Sequence, residues 1–452
     1  MKMYNAMLEH FNQAPISLHV PGHHYQTIGH LKDLDLKYDI TEITGMDDYH
    51  HAEGIIKESE LLLDKIDYQS RFLVNGTTVG LLAVILSFIK PSDVPSIAIM
   101  RNAHKSIYNG INLGKGSAYI LPTDVSPVTQ EYSGINIDLI DESMLNDIKL
   151  AVLTYPNYYG ETYDIKTVID YFHGHRIPVL IDEAHGAHFE ITDRFPMSTL
   201  SYDADFVVQS YHKTLPAFTM SSVIHMRLLS GEADENVYRV QSLLSKLQSS
   251  SPSYMLMLGL EQANHFYQSY EDDLFFERRS ILIKALKHIF HVVEVADPLK
   301  VMLSMDGYLG TQIAVLLDEH GIYTELSNEK FVLCVLPLWH KGDGYLFESL
   351  MTRISEIKLE KRSLLSEGNT ELLYNQKGGI YISQETNATK MIPLDKSVGC
   401  ISADNIIPYP PGIPYILAGE EITEQHVKHI QKFLTSGGKV HGVEASKIRV
   451  IE

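Results

Sequence analysis

The sequence predicts an α/β protein, with a large domain on a mostly parallel, doubly wound sheet and a smaller C-terminal α/β domain. Three observations predict it. Between Phe72 and Gln209, short apolar runs repeatedly end in polar turns: FLVNGTT, SIAIMRNAH, LAVLTYPNYYG, IPVLIDEAHG and DFVVQSYHK. Strands buried on both faces of a parallel sheet read as continuous apolar runs of this kind. The longer segments between several of them can supply crossover helices. Beyond about residue 295 a second α/β-like section begins, with IAVLLDEHGIYTEL, KFVLCVLPL and a helical LFESLMTRISEI.

Taken in order, residues 1–70 mix polar and Gly-rich pieces, VPGHHYQTIGH and DITEITGMDDYHHAEG, with a helix expected around 54–66. Such loops can be connectors, or, given their dense His, Asp and Glu content, line a site. VGLLAVILSFI, residues 79–89, reads as a buried helix and is too short to span a bilayer. A helix-compatible stretch from about 236 to 289 is interrupted by SSSPSY at 249–254, where Pro252 prevents a continuous helix. The proline-rich YPPGIPYILAGE at 409–420 should be rigid and irregular. The expected divisions are 1–70, 71–300 and 301–452.

With 452 residues, 44% of them hydrophobic, the chain can build a sizeable core. A formal net charge of −20 argues against general nucleic-acid binding, which needs a positive surface. Two separated cysteines, Cys334 and Cys400, and an N-terminus without a secretory pattern make the cytoplasm the expected location.

In open α/β sheets, polar residues at the carboxyl ends of strands converge on one crevice, and helices that start there offer N–H groups to anions. Asn75-Gly76-Thr77-Thr78 sits at such a junction, where the hydroxyls and the following helix can hold a phosphate or simply cap the helix. His104 follows SIAIM and can stack on an aromatic cofactor or serve the local structure. Asp182 ends the apolar strand VLID, and a buried carboxylate needs a positive or hydrogen-bonding partner. A protonated pyridine nitrogen would be one. His185 and His188 raise the question of a metal, but the His-Glu-x-x-His order of a metal hydrolase is absent, and none is expected. Lys213 emerges just past DFVVQ, flanked by Ser210 and His212. An Asp at one strand end and a Lys at another supply the ring-nitrogen partner and Schiff-base amine that pyridoxal phosphate demands.

The sequence resembles the pyridoxal-phosphate-dependent Orn/Lys/Arg decarboxylase family, of the fold-type-I superfamily. The matching pieces are PGH at 21–23, DITEITGMDDYH at 39–50, FLVNGTT at 72–78, RNAHKS at 101–106, DEAHGAH at 182–188, QSYHKTLPA at 209–217, SSPSY at 250–254 and YPPGIP at 409–414. The resemblance implies that Lys213 holds pyridoxal 5'-phosphate and releases it to the substrate amine. It implies that His104 stacks on the ring, that Asp182 keeps its nitrogen protonated and that His185 lies near its phenolic oxygen. Thr77, Thr78, Ser210 and His212 would bind the phosphate. Ser250 and Ser251 look like the contacts this family supplies from the partner subunit, which places the site at a homodimer interface. His24, Tyr211 and Ala418 depart from the common PGHK, threonine and PGE patterns. The chain resembles the short form, lacking the N-terminal wing domain.

The implied reaction is decarboxylation of arginine, lysine or ornithine. Asp47, Asp48 and Glu420, in the irregular family-like segments, are the expected contacts for the basic side chain. A transaminase of the same fold would clamp the substrate carboxylate with an arginine. Arg353 is the tempting one, but its place in the 3.6-residue pattern of Leu346, Leu350, Ile354 and Ile357 makes it a helix-surface residue. A noncatalytic interaction module on this scaffold is the remaining alternative.

Overall fold

The computed structural model describes residues 1–228, 235–359, 378–383, 388–409, 412–435 and 438–452. After a short strand Ile16–Leu18 (β1), the central sheet is built from Tyr68–Leu73 (β2), Ile97–Ile99 (β3), Ser117–Ile120 (β4), Leu150–Thr154 (β7), Val179–Asp182 (β8), Phe206–Gln209 (β9), Ser222–Arg227 (β10) and Gly379–Ile382 (β16). The hairpin Thr123–Val125 (β5) and Tyr132–Ile135 (β6) lies outside it. The spatial order is β16-β4-β3-β7-β8-β9-β10-β2. Pairings from β4 through β9 are parallel, whereas β10 runs antiparallel to both β9 and β2.

Apolar side chains on both faces account for this sheet. Val179, Leu180 and Ile181 of β8 are fully buried. On one side Leu180 and Val208 meet the helices Gly76–Phe88, Lys105–Leu113 and Glu235–Leu247. On the other, Ile181 and Val207 meet Ile165–Gly174 through Val168, Ile169 and Phe172. Helix Gly76–Phe88 lies close because residue 80 is glycine; a Cβ there would come 2.7 Å from Leu73 Cδ1.

The second α/β section is a four-stranded antiparallel sheet of His291–Glu294 (β11), Lys300–Ser304 (β12), Leu326–Ser327 (β14) and Val332–Val335 (β15). Its helices are Gly310–Glu319 and Phe347–Glu356, and its core includes Trp339, packed against Phe275, Tyr345 and Phe347. Ile322–Thr324 (β13) pairs in parallel with β1, which fastens the N-terminal segment to this section. Toward the C-terminus, Thr389–Pro393 (β17), Val443–Glu444 (β20) and Lys447–Ile451 (β21) form one small sheet, and Ile407–Tyr409 (β18) with Lys439–His441 (β19) another. Both surround a cluster of Ile406, Ile416, Ile422, Ile430, Ile448 and Val450. Pro410 and Pro411 of the proline-rich motif lie outside the described residues.

Three elements differ from the sequence expectation. The helix expected at 54–66 covers only Ile55–Leu61. The stretch 236–289 holds three helices rather than two, because Tyr270 turns extended and Asp272 bonds to Thr192 and Arg194 between Tyr254–Ser269 and Asp273–Leu286. The third is β16, which returns from far along the chain to pair with the edge strand β4.

Asp47 explains how the short helix Ile55–Leu61 starts without a capping side chain of its own, its N-cap being Gly54. The Asp47 carboxylate accepts from the backbone N–H groups of Gly54 at 2.8 Å, Ile56 at 3.1 Å, Glu53 at 3.1 Å and Asp48 at 3.0 Å. Burial pushes its pKa upward, but these donors prevail and hold it below the ordinary value. Asp47→Ala should therefore cost about 1–2 kcal/mol of stability in urea unfolding at neutral pH. A carboxyl with a depressed folded pKa stabilises above its unfolded value of about 3.9, and that contribution fades as pH falls through the folded value. The two proteins' unfolding midpoints should converge on acidification; equal midpoints at neutral pH would remove this role.

Candidate active site

Five strand ends open on one edge of the central sheet, and each delivers a polar group. The turn after β2 carries Thr77 and Thr78, that after β3 carries His104, that after β7 carries Tyr158, β8 ends in Asp182, and β9 leads through Ser210 into the short helix Tyr211–Thr214 with Lys213. The parallel register sets Thr154 beside Asp182 and Asp182 beside Val208, so the ends are level.

Lys213 Nζ lies 3.1 Å from His185 Nε2, and the Asp182 carboxylate faces the same amine. Burial lowers the pKa of Lys213, with Asp182 opposing. Burial likewise raises Asp182, while Lys213 and the Ala184 N–H, 3.2 Å from Oδ1, act to lower it. His185 is 6% exposed and held well below the ordinary histidine range by burial and then by Lys213 and Lys300. His104 caps the helix Lys105–Leu113 by accepting from Ser106 N–H, and burial brings it down to about 3, so its ring is a neutral plane. His212 donates from Nδ1 to the Ser221 carbonyl at 2.9 Å and is lowered by burial to about 4.

The loop after β8 is anchored by Glu183, which accepts from the Ser198 hydroxyl, the Thr199 N–H and hydroxyl, and Gln209 Nε2. His188 does not join His185. Its Nε2 pairs with Asp297 Oδ1 at 2.9 Å, both side chains being fully buried.

At the turn after β2 the Thr77 and Ser210 hydroxyls hydrogen-bond to each other, and Thr78 is exposed in the same first helical turn. Asn75, the N-cap, gives no side-chain bond to that helix; its Oδ1 accepts instead from Ser249 N–H at 3.1 Å. The first turn is thus left without a side-chain cap, which is how a helix start receives an anion. The same bond brings the exposed Ser250 and Ser251 beside this turn of their own chain. His50 reaches the Ser249 carbonyl at 2.9 Å, and Tyr254 donates to the Asp47 carbonyl, so three separated motifs are knit together.

The PGH motif has a packing reason. Gly22 N–H donates to the His212 carbonyl at 2.8 Å, and a Cβ at 22 would come 2.7 Å from the Leu215 oxygen. His24 is turned toward Ser17, 3.0 Å from its hydroxyl. Tyr211 is buried in the core, and Ala418 N–H donates to Asn405.

Three further residues that the sequence singles out make local contacts. Asp48 caps the turn Tyr49–His51 through His50 N–H and is exposed. Glu420 accepts from Leu417 N–H at 2.7 Å and Arg101 at 3.3 Å, and Arg101 also binds the Pro414 and Tyr415 carbonyls. Arg353 donates to the Gly321 and Ala14 carbonyls, tying its helix to the N-terminal segment rather than facing solvent alone.

Sequence reasoning missed Lys300, Tyr158 and Glu325. Lys300 Nζ lies 3.2 Å from His185 Nδ1. Glu325 accepts from the Tyr158 hydroxyl at 2.5 Å and Val20 N–H at 2.9 Å. The available signal was ADPLKVML, a lysine abutting an apolar strand, but it stands at the strand's start, where the crevice rule does not look.

Comparison with known proteins gives the family. Residues 2–291 match the Orn/Lys/Arg decarboxylase major domain, and residues 377–442 match the C-terminal domain of the same family. The chain is 36% identical to YaaO of Bacillus subtilis over 97% of this chain and 95% of that protein. It is 28% identical to the arginine decarboxylase of Bacillus anthracis, over 99% and 96%. It superimposes on the crystal structure of the Francisella novicida lysine decarboxylase LdcF with a TM-score of 0.69 at 19% identity, covering 90% of this chain and 73% of the other. That likeness gives the fold, fold type I with a smaller C-terminal domain. The family match across the major domain, with the identity along nearly the whole chain, shows that this protein belongs to the Orn/Lys/Arg decarboxylase family and is a decarboxylase.

Proposed function

We propose that this decarboxylase uses pyridoxal 5'-phosphate to remove the carboxylate of arginine, lysine or ornithine, and that it works as a cytoplasmic homodimer with its sites at the subunit interface. The observation that carries the proposal is the Lys213 amine at the carboxyl edge of the sheet, faced by Asp182 and 3.1 Å from His185. The donor set fits the cofactor. An uncapped helix start with Thr77, Thr78 and Ser210 suits a phosphate, joined by His212 Nε2 once the anion draws a proton onto it. Asp182, buried with a raised pKa, suits a cationic ring nitrogen. His104 offers a neutral ring for stacking and His185 a partner for the phenolic oxygen.

When bound, the cofactor supplies an electron sink for the charge left as the carboxylate departs. Asp182 would pair with the ring nitrogen and keep it cationic. Lys213 would be the amine that holds the cofactor, and Lys213 or a nearby histidine would return a proton to the α-carbon. For the basic side chain, Asp48 is the proposed contact with an exposed carboxylate, on the turn that His50 ties to Ser249. Glu420 is held by Arg101, and the Asp47 oxygens are committed to the backbone. Ser250 and Ser251, exposed beside the phosphate turn, suit a shared boundary between subunits. Cys334 and Cys400 are both free thiols, as a reducing compartment would keep them. Among the described residues no helix is long and apolar enough to cross a membrane.

Incubating the cofactor-loaded protein with arginine, lysine and ornithine in turn should yield carbon dioxide and the matching amine from at least one of them. Lys213→Ala should lower turnover by at least about 10³-fold and Asp182→Asn by about 10²–10⁴-fold. An oxo acid formed only with an amino acceptor would replace this reading with transamination. For the shared site, co-expressed Lys213→Ala and Ser251→Glu chains should regain activity that neither has alone, since a mixed dimer holds one unaltered site. A mixture as inactive as its parents would place each site within one chain.

A further inference from the structure

His185 stands between two amines, with Nε2 3.1 Å from Lys213 Nζ and Nδ1 3.2 Å from Lys300 Nζ. A neutral imidazole has one N–H and one lone pair, and an ammonium can only donate. Two ammonium groups therefore cannot both hydrogen-bond one imidazole, and at least one of the lysines must be a neutral amine that accepts from the ring.

The surroundings decide which. Lys300 is fully buried, with the carboxylates of Asp297 and Glu325 facing it and its Nζ 5.7 Å from the centre of the Tyr158 ring. All three favour a cation there. Lys213 has Asp182 and, with less weight, Glu325 in its favour, but the Lys300 ammonium stands against it. Burial disfavours charge on both, so the charge settles on Lys300.

The fold takes trouble to put Lys300 there. Asp297 N–H donates to the Gly160 carbonyl at 3.0 Å, Asp297 Oδ1 accepts from Leu299 N–H at 2.9 Å, and His188 holds the same carboxylate. Gly160 has φ +87°, and a Cβ there would come 2.5 Å from Lys300 Cγ. The loop after β7 is thus shaped to let the turn before β12 of the four-stranded sheet pass its lysine into the cleft at the central sheet.

We propose that Lys300 is a positioning residue: its ammonium donates to His185 Nδ1, fixes the ring as the Nε2–H tautomer, and through that N–H holds Lys213 as a neutral amine able to condense with a carbonyl compound. This rests on Lys213 being the reactive amine of the function proposed above.

The test uses the full-length chain without cofactor. Reductive methylation with formaldehyde and cyanoborohydride, which acts on neutral amines, is followed at the Lys213 peptide by mass spectrometry across a pH series. Native Lys213 should reach half-modification well below the ordinary lysine pKa of about 10.4. Lys300→Met should raise that midpoint by about one pH unit or more, and Lys300→Arg, which keeps the donor and the charge, should stay near the native value. An unmoved midpoint in Lys300→Met, or an equal rise in Lys300→Arg, overturns the assignment. Should the variants fail to fold, neutron diffraction on crystals of the native chain decides: deuterium on His185 Nε2 supports it, and deuterium on Nδ1 overturns it. Failure of the native chain to bind pyridoxal phosphate would instead sink the functional reading and leave the methylation midpoints where they are.

Discussion

A parallel sheet covered by helices on both faces has no place for polar side chains along its strands, and this constraint shapes everything else in the molecule. Polar groups collect where the strands end. Because β7, β8 and β9 run in parallel with Thr154, Asp182 and Val208 in line, their ends stop at one level and their functional groups meet. A one-residue slip of β8 would turn Asp182 to the opposite face and leave the Lys213 amine without the carboxylate that faces it. The chemistry is thus specified by packing before any hydrogen bond is formed.

Within the cleft the electrostatics are tightly coupled. Two amines, Lys213 and Lys300, share one imidazole and are faced by Asp182, Asp297 and Glu325, with Asp297 already paired to His188. Desolvated charges persist only where partners compensate them, so each group limits the state of the next. The cleft suits positive charge brought in from outside, which is what a protonated ring nitrogen and a basic amino acid both carry.

The strands of the large domain were legible because buried parallel strands leave apolar runs, and Asp182, His104 and Lys213 because each stands directly after such a run. The rest depends on contacts between segments far apart in sequence. Nothing local in Gly379–Ile382 tells that it will lie beside Ser117–Ile120, and nothing in Ile16–Leu18 tells that it will pair with Ile322–Thr324. Asp47 looked like a substrate contact because an acid in a Gly-rich irregular segment looks available; which backbone N–H groups surround it is a matter of folding. Lys300 and Glu325 escaped notice because they reach the cleft from the four-stranded sheet, at the start of one strand and the edge of another.

Those late arrivals change how the irregular N-terminal segment should be understood. Glu325 is held by Val20 N–H from one side and Tyr158 from the other, while Gly22 binds the carbonyl of His212 next to Lys213. The path between them, His19 to His23, has no regular structure, yet it bridges the helix that bears Lys213 and the Glu325 carboxylate. A loop so pinned behaves as part of the scaffold: shifting it moves Glu325 away from Lys300 and the backbone away from His212 together. The site therefore depends on the N-terminal segment, the large sheet and the smaller domain closing on one another, and the charge on each lysine follows from that closure.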